Sequence, residues 1–65
     1  MLGERRLTIG QVVLMLRRAD IFMGEAAIGR RIRRAAFPAP TWFGNERYWL
    51  ESVITQWAAE MRRTS

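Results

Sequence analysis

The chain has 65 residues and no cysteine or histidine, so it is at most one small domain, without disulfides or the usual zinc ligand sets. Eleven arginines, no lysine and six acids leave a net charge of +5, which points to a polyanionic partner, nucleic acid before anionic membrane. No apolar run approaches the ~18 residues of a membrane span and the N-terminus lacks the apolar core of a secretion signal, so the expected location is the cytoplasm.

Residues 1–6 read as a charged, flexible lead-in. Thr8 followed by Gln11 makes a capping box, and Leu7 is placed to staple onto Val12. Ile9, Val12, Val13 and Leu16 recur at helical spacing, which predicts a first helix from Ile9 to about Arg17. In "RADIFMGEAA" both Asp20 and Gly24 can cap the next helix. Ile21, Ile28, Ile32 and Ala35 share a helical face, favouring the longer helix, whereas Gly24 favours the shorter. The helix is expected to end near Ala35, its start left open.

Phe37-Pro38-Ala39-Pro40 forms a stiff, extended corner. "TWFGNERYW" then reads as two short strands around a Gly44-Asn45 turn. From Glu51 the period is helical again, with Val53, Ile54, Trp57, Ala58 and Met61 on one face and Arg62 and Arg63 suiting the last turn. The expected class is mainly α with a small β-hairpin. Residues 7–62 form the domain and 63–65 a tail.

A nucleophile needs a base beside it, and no histidine is present to serve. Six scattered carboxylates make no acid–base pair, so neither catalysis nor a cofactor is expected. The second helix is the informative element. At about 100° per residue, Ile28, Ile32 and Ala35 face inward, while Arg30, Arg33 and Arg34 project outward with Arg31 on the flank. Ala26 and Ala27, one turn earlier, are small enough to let the helix approach a major groove. The arginines then reach phosphates or the paired acceptors of guanine. Asn45 and Arg47 at the hairpin are placed for a minor groove or backbone phosphate. Trp42, Trp49 and Trp57 are expected in the core. An adaptor for an acidic protein and a membrane-surface segment are the other readings of the charge.

"LTIGQVVLML", "RRIRRAAFPAP" and "FGNERYWLESVITQW", taken together, resemble the AlpA-like and excisionase (Xis) families of phage and mobile elements, winged-helix proteins related to the DNA-binding domain of MerR regulators. The likeness covers roughly residues 7–61. It is strongest in the Phe-Pro-x-Pro corner, the glycine-containing wing and the order Trp49, Glu51-Ser52, Ile54, Trp57. The segment between Leu16 and Ile28 is longer than the family's tight turn, and Gly29 stands where such proteins often carry a bulky residue.

The resemblance implies a winged helix-turn-helix, with the second helix as recognition helix and the 44–47 turn as wing. Arg30, Arg33, Arg34 and Arg47 are then DNA contacts. It implies an excisionase that binds and bends attachment-site double-stranded DNA, associates with itself on that DNA and directs an integrase toward excision. An AlpA-type transcriptional regulator is the alternative, and the shortness of the chain favours the excisionase.

Overall fold

The computed structural model describes residues 5–64. The capping box forms: the Thr8 N–H donates to Gln11 Oε1 at 2.9 Å and the Gln11 N–H donates to Thr8 Oγ1 at 3.3 Å. Helix α1 runs Ile9–Arg18 from this cap, one residue beyond the predicted end. Val12 and Leu16 are fully buried with Leu7 beside them in the core, and Ile9 and Val13 pack against its edge.

Helix α1 ends without a glycine. Asp20 takes the left-handed conformation at φ 64°. Its N–H donates to the Arg17 carbonyl, and the Ile21 N–H reaches back to the Leu16 carbonyl at 2.8 Å. This is a complete Schellman closure, with Ile21 following Leu16 into the core region as the motif's usual apolar contact. Ile21 is therefore outside the next helix, and the longer version of that helix is not what forms. Helix α2 spans Glu25–Arg33 behind Gly24, which offers no side-chain cap.

Helix α2 closes in the same way. The Ala35 N–H donates to the Ile32 carbonyl and the Ala36 N–H to the Arg31 carbonyl at 2.8 Å, with Ala35 left-handed at φ 57°. The chain has left the helix by that point, so Ala35 is exposed rather than on the inner face as helical extrapolation placed it.

The corner leads into strands β2 (Thr41–Phe43) and β3 (Glu46–Leu50), paired antiparallel with Phe43 opposite Glu46 and Trp42 opposite Arg47. Gly44 is left-handed at φ 64° and Asn45 is not, the signature of a two-residue II′ turn. A third strand joins them, taken here as β1: Arg6–Leu7 pairs with β3, giving the order β1-β3-β2. Among the described residues the fold therefore has three helices and a small three-stranded antiparallel sheet. Arg6 belongs to the sheet, and the Arg5 carbonyl accepts from the Glu51 N–H at 2.8 Å, so Arg5 and Arg6 are not part of a flexible lead-in; positions 1–4 of that expectation lie outside the described residues.

Helix α3 runs Glu51–Thr64 directly from β3, so Arg63 is helical and not part of a tail. Ile54 and Ala58 are buried and Trp57 packs at the core's edge. Val53 lies about a quarter turn from that line at 100° per residue and is 39% exposed rather than inward-facing.

Trp49 is the largest fully buried side chain. Its indole N–H donates to the Pro38 carbonyl at 2.8 Å, and Phe37 packs edge-on against both Trp49 and Trp57, with centroids 6.3 and 4.6 Å away. The corner is thus tied to β3 and α3 at once. A 65-residue domain has a total stability of about 3–10 kcal/mol, and removing a buried tryptophan costs roughly 3–5 kcal/mol. Trp49→Ala is expected to leave the protein largely unfolded by circular dichroism. Trp49→Phe, which keeps a ring but drops the donor, should lose about 1–2 kcal/mol in a urea titration.

Ala35 tests the helix end. A left-handed alanine costs about 1–2 kcal/mol; glycine removes that strain but loses part of the gain through its freer unfolded chain. Ala35→Gly is expected to raise stability by roughly 0.5–1 kcal/mol, read as a shifted urea midpoint at unchanged slope. A destabilised variant would contradict the closure described here.

Candidate nucleic-acid interface

The burial of Ile28 sets the rotation of α2. It is the one fully buried residue of the helix, and Ile32 packs at the core's edge. With that line inward, Ala26, Arg30 and Arg33 fall along the opposite side at i, i+4 and i+7, and all three are exposed. Arg34, at the C-cap, is exposed as well, and Arg31 is half-buried on the flank, as the phase predicts. Ala27 is half-buried, so it lies on the flank with Arg31, and the small-residue approach is provided by Ala26 alone.

No described acid lies within ion-pair distance of Arg30, Arg31, Arg33 or Arg34; Arg5 pairs with Glu51 at 3.8 Å, outside α2, with side chains 64% and 44% exposed. Glu25, the acid of α2, sits in its first turn. There it suits the positive helix end and lies nearer in phase to Ile28 than to the arginines. Arg30, Arg33 and Arg34 are therefore exposed with no ion-pair partner among the described residues.

The hairpin differs from expectation at Arg47 and Trp42. Arg47 is half-buried, and its guanidinium carbon stands 5.6 Å from the centroid of the Trp49 ring. It lies one pair back from the turn, opposite Trp42, and covers the core tryptophan. Asn45 is exposed in the turn itself. Trp42 is 62% exposed and not in the core, because β2 is an edge strand that pairs with β3 alone and is exposed at all three of its residues.

Phe43 is the residue that sequence reasoning missed. It is 78% exposed, the most exposed of the large hydrophobic side chains among the described residues. The signal was present: the residue before a two-residue turn belongs to the last pair of the hairpin, where little remains to pack against. On the same face Arg6 stacks over Tyr48 at 5.2 Å.

No helix among the described residues is long and apolar enough to cross a membrane. Comparison with protein-family models, curated proteins and solved structures gives no significant match.

The geometry makes a specific demand on binding. Three arginines on α2 and a fourth at its C-cap, with no ion-pair partner among the described residues, should make association with a polyanion depend steeply on salt. The logarithm of the affinity for duplex DNA is expected to fall with the logarithm of salt at a slope of about −3 to −4, from roughly −0.9 per neutralised phosphate. In a mobility-shift titration the double variant Arg30→Ala/Arg33→Ala should flatten that slope by about 2 with its circular dichroism unchanged. An unaltered slope would remove α2 as the binding element.

Proposed function

We propose that this protein binds double-stranded DNA sequence-specifically as a winged helix-turn-helix, with α2 in the major groove and the β2–β3 hairpin as the wing. The observation that carries the reading is the outward line Ala26, Arg30, Arg33 with Arg34, free of any described acid. An α-helix fits a major groove of about 12 Å, and arginine matches the O6 and N7 acceptors of guanine with two parallel hydrogen bonds. Arginine also grips phosphate in a fork that lysine cannot form, in keeping with a chain whose basic residues are all arginine.

The arrangement of three helices with a sheet in the order β1-β3-β2 is compatible with the winged helix. The connection over residues 19–24, closed by the left-handed Asp20, takes the place of a tight turn between α1 and α2. Within this reading the protein acts as an excisionase of a phage or mobile element. Such a protein performs no strand cleavage; it binds repeated sites beside an attachment sequence, curves the DNA and orients an integrase toward excision. The resemblance of "RRIRRAAFPAP" and "FGNERYWLESVITQW" to that group supports it. One small module reads few base pairs, so discrimination comes from several copies side by side, each adding phosphate contacts.

Footprinting on the DNA flanking its own gene tests this. Protection of tandem repeats next to an integrase attachment site is the expected result. Protection of a lone promoter site would mean that the same module works as an AlpA-type transcriptional regulator, and no protection of any duplex would end the proposal.

A further inference from the structure

The tip of the hairpin is not built to grip phosphate. Gly44 and Asn45 are uncharged, Glu46 is negative, and the nearest arginine, Arg47, lies over Trp49. What the tip offers is the Phe43 ring, 78% exposed. Gly44 beside it carries no side chain, and a Cβ built there would meet nothing within 4 Å, so the turn next to the ring is uncrowded, while the ring itself borders a shallow hollow shared with Arg6, Glu46 and Tyr48. A solvated phenylalanine forgoes roughly 1.5–3 kcal/mol of burial.

A platform for single-stranded bases needs aromatic faces aligned along one groove. Trp42 and Phe43 are consecutive on a strand and so lie on opposite faces of the sheet. Tyr48, which shares a face with Phe43, already has Arg6 over its ring. One isolated apolar ring on a thin ribbon suits a different task. Two strands about 4.8 Å apart, with their side chains, are too broad for a minor groove of about 6 Å unless the groove is opened. Apolar wedges open it by partly unstacking a base step and kinking the duplex.

We infer that Phe43 is such a wedge: the wing of this protein contacts DNA by inserting that ring at a base-pair step from the minor-groove side, and not through an arginine. The inference rests on the duplex-binding reading above and deepens it. Pyrimidine–purine steps, the easiest to unstack, are the steps it takes. Arg47 braces the ribbon by covering Trp49, and the α2 arginines supply the phosphate neutralisation that holds the duplex against the tip.

The probe is a duplex of roughly 20–30 bp with several TA steps, carrying 2-aminopurine at those steps and a donor–acceptor dye pair at its ends, titrated at low salt. The native protein is expected to raise the 2-aminopurine emission and to bend the duplex by at least about 20°. Phe43→Ala should still bind but lose both responses, while Phe43→Leu, an apolar wedge of another shape, should retain the bend. Equal bending by the alanine variant, or binding by the native protein without any 2-aminopurine response, would overturn the wedge while leaving α2 as the duplex contact. A native protein that prefers single strands, or that binds no duplex at low salt, would overturn both the wedge and the duplex reading.

Discussion

The hydrogen bond from the Trp49 indole to the Pro38 carbonyl, 2.8 Å long, fixes the one turn of the chain on which the rest depends. Before the corner lies the basic helix and after it the hairpin, and neither packs extensively on the other. Their relative placement is set instead by Phe37, held between Trp49 of the sheet and Trp57 of α3. Aromatic pairs of this kind contribute about 0.5–1.5 kcal/mol beyond the area they bury. In a domain with only eight buried hydrophobic residues among those described, that is a large share of the margin. The two prolines restrict the corner further, so the projection angle of the hairpin is not left to a flexible link.

The stability of α2 accounts for only part of the arginine cluster. Basic side chains in a last turn gain from the helix dipole, about 0.3–1 kcal/mol each at an exposed end. Here Arg30 and Arg33, Arg31 and Arg34, and Arg30 and Arg34 also stand three or four positions apart, where like charges repel by about 0.2–0.5 kcal/mol per pair. Three such pairs offset up to about half of what the dipole supplies to the group. The later arginines therefore add less to the helix than the first, and the outward charge is what the proposed duplex contact draws on.

Much of this was legible from residue types alone. The Thr8–Gln11 capping box, the inward phase of Ile28, the Gly44-Asn45 hairpin and the helical pattern after Glu51 each rest on a local signal, and each forms. The failures have physical causes. Strand β1 is two residues long and exists only because β3 offers a free edge, so no pattern within it could announce it. Both early helices end on a left-handed residue that is not glycine, Asp20 and Ala35, and the usual stop signal is missing. Trp42 is expected in the core with the other tryptophans, but an edge strand exposed at every residue leaves even tryptophan in solvent. The arginine face of α2 was legible because it follows from helical phase; the Phe43 tip was not read because apolar residues were assumed to be inside.

The central claim is one of place: duplex DNA meets the outer face of α2 and the end of the hairpin. Amide chemical-shift mapping by NMR, with a short duplex added to the labelled protein at low salt, reads that place directly in a chain of this size. The account predicts perturbations concentrated at Ala26, Arg30, Arg33 and Arg34 and at Phe43 to Glu46, with the outer side of α3 around Thr55 and Ala59 unchanged. Shifts centred on α3 or on the exposed side of α1 around Leu14, with α2 silent, would contradict it.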